Sequence, residues 1–256
     1  MKSLIAFTKK EFLAQFRSGK IFFLGGIALL VGIMNPAIAK LTPWIFDLLK
    51  EALEETGMVI TEINVSALDS WVQFFKNIPM ALIAFVLFQS NIFTKEYSSG
   101  TLILSLTKGL ERNKVLVSKA AVLALFWTAF YWLNYMITYG GNLFFWDNSI
   151  ASHLIFSAVL WWLFGIFVLS LIVFFSAVAK SNIMVLAGVG GSILVSYTVG
   201  LLPKIGNFFP TKLTDGTSLI YGISQPKDYI PALLITVGIC VLCFAASIPI
   251  FNKKQL

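Results

Sequence analysis

Few stretches of this 256-residue sequence gather side chains that could do chemistry. Ser192 follows Gly190-Gly191 in an apolar run, and with His153, the one histidine, it would supply the dyad of an intramembrane serine protease. No oxyanion donor or third group accompanies the pair, and Ala187 and Gly191, four apart, read more simply as a small-residue helix contact. Cys240 and Cys243 have C-x-x-C spacing, but a redox dithiol needs a βαβ context that the surrounding apolar run lacks, so they read as small packing or lipid-side residues. Ser18-Gly19-Lys20 lacks the upstream glycine of a phosphate-binding loop and is followed by Ile21. The apolar runs contain no HExxH and no paired carboxylates, which leaves metal hydrolysis without a candidate site. The chain is therefore read as carrying no catalytic, cofactor or metal site of its own.

The stretch richest in positional signals is 94–119. Ser98-Ser99-Gly100-Thr101 breaks a helix and supplies a new N-cap, Leu102-Ile103-Leu104-Ser105-Leu106 gives one to two helical turns, and Lys108-Gly109 ends them. Another helix starts at about Leu110 and carries Glu111, Arg112, Lys114 and Lys119. A short apolar helix between two longer ones has little core of its own and calls for a partner groove.

The elements that hold this stretch follow from composition. Hydrophobic residues make up 58% of the chain and charged residues 12%, with a mean hydropathy of +0.85. Soluble domains carry about 25% charged residues, so this chain cannot cover a water-facing surface and is an all-α integral membrane protein. Uncharged runs at 21–39, 77–94, 120–146, 148–179, 181–203 and 229–252 are each long enough to cross a hydrocarbon core about 30 Å thick. With Trp71, Phe74 and Phe75 extending the second, the spans are expected at about 21–39, 71–94, 119–146, 150–179, 181–203 and 229–251, within one membrane domain over 1–256. No charge lies inside the six uncharged runs, so an ion-coupled mechanism has no titratable relay there. Ala37-Ile38-Ala39 resembles a signal-peptide cleavage site, but about twenty residues precede a 19-residue run, and the segment is read as a retained span.

The charges orient the spans. Residues 1–20, 94–119, 180–182 and 251–256 hold 13 Lys/Arg and 3 Asp/Glu; 40–76, 147–152 and 203–228 hold 6 and 9. By the positive-inside rule both termini are cytosolic. The net charge of +7 is then a topology signal, and no nucleic-acid partner is expected.

Three further segments are expected to be structured. Over 1–20, Ile5, Phe12 and Phe16 form a helical stripe while Lys10 and Arg17 project elsewhere and Phe7 lies off it, the pattern of an interfacial helix. In the external loop 40–70, Thr42-Pro43 reads as an N-cap and first helical residue, Trp44, Ile45, Leu48, Leu49, Ala52 and Leu53 line one face, and Gly57 closes the helix. Ser66-x-x-Asp69 then reads as a capping box for the second span. The segment 204–228, broken by Gly206, Pro210, Gly216, Gly222 and Pro226, is expected to form either re-entrant helices or an ordinary apolar loop.

This order of parts resembles the six-span permease subunits of ATP-binding-cassette transporters of the type-2 exporter class. The local match is Glu96-x-x-x-Gly100-Thr101 followed by Leu104, Arg112 and Lys119; Lys108-Gly109-Leu110-Glu111 departs from the Pro and Ser usual there. Leu106-Thr107-Lys108-Gly109-Leu110, Trp127-Thr128, Tyr131 and Phe145-Trp146-Asp147 are similar to permeases of Gram-positive peptide exporters, including the phenol-soluble modulin group. The resemblance implies a multi-pass protein of the bacterial cytoplasmic membrane that pairs with a second permease copy or a related chain. A separate cytosolic ATPase would hold ATP and Mg. A coupling helix would receive the ATPase through Glu96, Gly100, Thr101, Leu102, Leu104, Leu106, Lys108 and Arg112. An amphipathic or hydrophobic cargo, a peptide, antibiotic or lipid-like molecule, would pass Phe126, Phe130, Tyr131, Trp161 and Trp162. The competing reading is an energy-independent channel or scaffold.

Overall fold

The computed structural model describes residues 2–54, 64–107 and 109–254, without the side chains of 2, 50–54, 98, 104 and 105. Ten α-helices occupy them: α1 (Lys2–Arg17), α2 (Lys20–Glu54), α3 (Ala67–Gln89), α4 (Thr94–Ser98), α5 (Thr101–Thr107), α6 (Arg112–Phe145), α7 (Leu154–Val178), α8 (Asn182–Gly200), α9 (Gly216–Ile220) and α10 (Ile230–Lys253). No strand occurs among the described residues. Six helices are long and apolar enough to cross a membrane: α2, the α3–α4 segment, α6, α7, α8 and α10. This is a multi-pass membrane architecture.

Aromatic packing builds the centre. Trp71, Phe74 and Phe85 of α3 interleave with Trp127, Tyr131 and Tyr135 of α6, with ring centroids 5.1–6.0 Å apart. Three of the four polar tips find partners: Trp71 Nε1 donates to Asn148 Oδ1 at 2.9 Å, Tyr131 donates to the Ala158 carbonyl at 2.7 Å, and Trp127 Nε1 donates to the Trp162 carbonyl at 3.0 Å, whereas the buried Tyr135 hydroxyl has none among the described residues. Gly165 of α7 lies directly beneath the Trp127 indole, where any Cβ would overlap the ring. α8 packs chiefly on α7, where Gly188 receives Phe175, and most of its remaining surface is bare.

Asparagine and threonine side chains tie α2 to α3 and α6. Asn35 Nδ2 donates to Thr138 Oγ1 at 2.9 Å, and Asn77 Nδ2 donates to Asn35 Oδ1 at 2.8 Å. Pro36 lacks the N–H that would bond the Gly32 carbonyl four residues back. Thr138 Oγ1 lies 3.2 Å from that carbonyl and 3.1 Å from the Asn134 carbonyl of its own helix, so its one proton is shared between the two and stands in only in part for the missing amide. Gly32 against Ile137, and Gly141 against Pro36, bring the two backbones close.

The capping box holds as expected: the Ser66 amide donates to Asp69 Oδ2 at 2.8 Å, and Leu68 N donates to Ser66 Oγ at 3.3 Å. Thr42-Pro43 does not start a helix. α2 runs unbroken through Pro36 and Pro43, and Thr42 Oγ1 turns back to donate to the Ile38 carbonyl at 2.8 Å. The expected close at Gly57 lies outside the described residues. The second span runs from Ala67 to Tyr97, so the helix break falls at 98–101 as expected, although the span is not one continuous helix. A 3-10 turn at Ser90–Ile92 follows α3, and the short α4 intervenes before Gly100.

Residues 206–229 fold as 3-10 turns at Gly206–Phe208, Pro210–Thr214 and Pro226–Tyr229 around α9. Asp215 organises them. Its carboxylate accepts from Ser218 N at 3.2 Å and from Lys212 Nζ at 3.0 Å, and Tyr229 OH donates to its Oδ2 at 3.2 Å. Burial opposes the charge, but the bonds from Ser218 and Lys212 outweigh it and hold the carboxyl below its ordinary range.

Two outcomes follow. Gly165→Ala pushes Trp127 off its seat at a cost of about 1–3 kcal/mol, read as a lower midpoint of thermal unfolding in detergent, and adding Trp127→Leu restores part of the loss. The folded-state pKa of Asp215 is depressed, so its contribution is present above the unfolded carboxyl pKa of about 4 and disappears as pH falls through the folded value. Limited proteolysis within 206–229 should accelerate as pH drops below about 4, while Asp215→Asn should be cleaved quickly at pH 6 as well. Equal cleavage of both chains at pH 6 refutes this role for the carboxylate.

Candidate functional site

The end of the bundle that carries both termini gathers α1, α4, α5, the first turns of α6 and the last turn of α10. α5 is set between two glycines with positive φ, Gly100 at 66° and Gly109 at 85°, backbone that other residues rarely adopt. Ser99 Oγ and Thr101 Oγ1 bond at 2.8 Å across the first of these turns. Leu102 is buried in the core, Leu106 is half-buried against it, and Ile103 is 45% exposed. The helix is thus anchored by one leucine and presents an isoleucine outward. Lys108 lies outside the described residues, as does the side chain of Leu104.

Next to α5 sits a cluster of four charges. Lys119, 1% exposed on α6, reaches Glu11 Oε2 at 2.7 Å, Glu96 Oε2 at 3.0 Å and the Ile92 carbonyl at 2.9 Å. Lys10 pairs with Glu96 Oε1 at 2.9 Å and Glu11 Oε1 at 3.2 Å. Two cations and two anions cancel, which is what allows Lys119 and Glu11 to be buried, Lys119 beside Phe7 and Phe93, while Lys10 stays half-exposed at the edge. For Lys10, burial works to lower the pKa, and the Glu96 and Glu11 carboxylates more than reverse this, raising it above its ordinary value. Glu96 is therefore engaged inside the chain, bridging α1 and α6.

Basic side chains also meet the carboxyl ends of three long helices. Lys20 Nζ donates to the Phe88 carbonyl of α3 at 2.6 Å and to Asn91 Oδ1 at 2.7 Å. Arg112 Nη1 donates to the carbonyls of Phe251 and Asn252 at 3.1 Å each and of Lys254 at 2.5 Å, at the end of α10. Lys254 Nζ donates to the carbonyls of Ser176 at 2.9 Å and Ala179 at 2.5 Å at the end of α7, and stands 4.1 Å from the centre of the Tyr97 ring. Tyr97 OH donates to the same Ser176 carbonyl at 3.0 Å. Terminal helix carbonyls lack intrahelical donors and carry partial negative charge, so these contacts satisfy them twice over. Arg112 is thereby occupied within the chain.

The five aromatic candidates separate. Phe126, Phe130 and Tyr131 are buried within the bundle, Phe126 stacked on Phe12 of α1 at 5.2 Å. Trp162 is half-buried, and its Nε1 donates to Thr128 Oγ1 at 3.0 Å. Trp161 alone of the five lines a lateral apolar groove of about 340 Å³ between α3, α7 and α8, with Leu82, Phe164, Val189, Ile193 and Tyr197. Its Nε1 is spoken for by the Thr214 carbonyl at 2.8 Å.

Ser192 and His153 are not brought into a dyad. Ser192 Oγ donates to the Gly188 carbonyl of its own helix at 2.8 Å, and His153 is exposed ahead of α7 with φ 49°. Cys240 and Cys243 are free, half-buried thiols on α10. Among the described residues no group of three His, Cys, Asp or Glu side chains could hold a metal ion.

Lys10, Glu11, Lys20, Ile103 and Lys254 are the site residues that motif reading passes over. The one local signal was on α1: Phe7, Glu11 and Gln15 at i, i+4 and i+8 form a partly polar stripe opposite to the apolar one, and it is this stripe that is buried. No protein-family model matches the chain, and no curated protein matches it in sequence.

The four-charge cluster predicts a sign reversal between single and double variants. Lys119→Met leaves Glu11 and Glu96 to share Lys10, one carboxylate in excess, and should cost about 3–5 kcal/mol of unfolding free energy, read in detergent by chemical or thermal denaturation. Lys119→Met combined with Glu11→Met removes the orphan and should recover most of the loss. Additive destabilisation by the two changes is the result that excludes the pairing.

Proposed function

We propose that the chain is the membrane subunit of an ATP-driven exporter, a permease of the type-2 ATP-binding-cassette class in a bacterial cytoplasmic membrane, moved by a separate cytosolic ATPase that docks on α5. The observation that carries this reading is the construction of α5. It is a seven-residue helix between two glycine turns, rooted by Leu102, exposing Ile103, and placed beside the ion cluster that joins α1, α4 and α6. α5 packs on α4, and Glu96 of α4 is ion-paired with Lys119 of α6, so a push on α5 has a path to α6 through α4. The excess of Lys and Arg at this end supports its cytosolic location. The sequence offers no nucleotide-binding motif, so energy has to come from the partner.

The groove between α3, α7 and α8 is the surface we assign to cargo. Its walls are apolar and aromatic, and it opens sideways, which suits a peptide, antibiotic or lipid-like molecule held by dispersion. The outer face of α8, with Ala187, Gly190 and Gly191 exposed, is where a second permease copy would close it. Residues 206–220 would form the far boundary. Trp161 and Phe75, which touch Thr214 and Gly216, lie seven and eight residues into α7 and α3, roughly 10 Å along each axis.

Purification of the tagged chain from its native membrane should bring down an ATPase. Ile103→Asp, on an exposed side chain, should reduce that capture by about tenfold or more while leaving elution volume and helicity unchanged. No ATPase in the wild-type preparation, together with an unaltered partner set for Ile103→Asp, points instead to the channel or scaffold. Uphill movement of cargo in vesicles containing this chain alone refutes both readings, since neither gives the chain an energy source of its own.

A further inference from the structure

Helix α1 has more than its packing face. Phe7, Glu11 and Gln15 are turned into the protein, whereas Ile5, Leu13 and Phe16 are 65%, 42% and 38% exposed. Between α1 and the early turns of α6 runs an open apolar groove of about 400 Å³, walled by Leu4, Ile5, Phe12, Val122 and Leu125. This is within the 300–1,000 Å³ range of sites that take small molecules. The polar groups along it are already committed or stand at its edge. Thr8 Oγ1 pairs with Ser118 Oγ at 2.9 Å, and Lys9 is an exposed lining residue.

The charges on either side of Lys9 decide what the groove would take. Glu11 and Glu96 are neutralised by Lys10 and Lys119. Lys9 makes no ion pair among the described residues, so a cation stands at the lip of an apolar cleft. A flexible stem lets that ammonium reach the plane of phosphate groups while the apolar wall beneath it meets acyl chains.

We propose that this groove is a binding site for one anionic phospholipid, with an acyl chain between α1 and α6 and the phosphodiester headgroup against Lys9. A zwitterionic lipid offers the same chains but no net charge to Lys9, so the site discriminates by headgroup. Bound this way, the lipid covers the side of α1 that the protein leaves bare and presses the helix onto α6. The site is independent of any ATPase and of the α3–α7–α8 groove, so it stands or falls separately from the exporter reading.

The test uses the full-length chain reconstituted in vesicles of equal parts phosphatidylglycerol and phosphatidylcholine, extracted in mild detergent, with retained lipid counted by native mass spectrometry. Phosphatidylglycerol should be retained in preference to phosphatidylcholine. Lys9→Gln should lower its retention about fivefold, the weight of one basic residue at a membrane surface. Ala121→Phe, which fills the groove from an exposed position, should lower it as well, and Lys227→Gln, near the opposite end of the bundle, should leave it unchanged. Equal retention of the two lipids overturns the proposal, as does retention that neither variant reduces. Loss with Ala121→Phe but not with Lys9→Gln overturns it too, because the groove would then hold chains without reading the headgroup.

Discussion

A helix that ends near a bilayer surface leaves its last carbonyls without donors, and three of the long helices here end at the same surface. Each is met by a basic side chain from a distant part of the sequence: α3 by Lys20, α7 by Lys254 and α10 by Arg112. The positive charge gathered at this end is thus used in structure. Lys20 joins the start of α2 to the end of α3, Arg112 joins the start of α6 to the end of α10, and Lys254 joins the tail to α7. Cations favour the carboxyl ends of helices, and here lysine and arginine supply all three of these contacts. The arrangement gathers the chain ends, α1, α4 and α5 into a single layer.

Within that layer the buried ion cluster connects three pieces that no backbone joins closely. Glu11 and Lys119 are 108 residues apart, and Lys10 and Glu96 are 86 apart. Such a cluster is a poor source of net stability compared with an apolar core, because desolvation consumes most of the attraction. It does impose a register: α1 can sit on α6 only where two carboxylates meet two ammonium groups. The proposed coupling role of α5 draws on this, since a rigid joint passes displacement on where a greasy contact would slip.

The membrane helices were legible because the physics that specifies them is local. A run of eighteen or more uncharged apolar residues has few other fates, and Ser66-x-x-Asp69, Gly100 and Gly109 mark turns by their own conformational preferences. The failures came where a distant partner changed the local rule. Thr42-Pro43 resembles a helix start in isolation, yet the helix was already formed and the threonine hydroxyl had a carbonyl four residues back to bond. A charged residue marks the edge of a span only if it is unpaired, so Lys119 sits inside α6 once Glu11 and Glu96 neutralise it. Glu96 and Arg112 also bond within the chain, which no local pattern announces, and Ile103 of the apolar run is exposed. Phe130 and Tyr131 were selected as aromatic, a property that buried packing and cargo contact share.

Two glycines, one on α7 and one on α8, constrain how the bundle can rearrange. Gly165 of α7 receives the indole of α6, and Gly188 of α8 receives a phenyl ring of α7, so each neighbouring pair is indexed like a key in its slot. Spinning any one of these three helices about its own axis lifts a ring onto a backbone with no room for it. The trio can lean, but it cannot unscrew: a lever acting on α6 would tip α7 and α8 as one slab, carrying two walls of the lateral groove along with it.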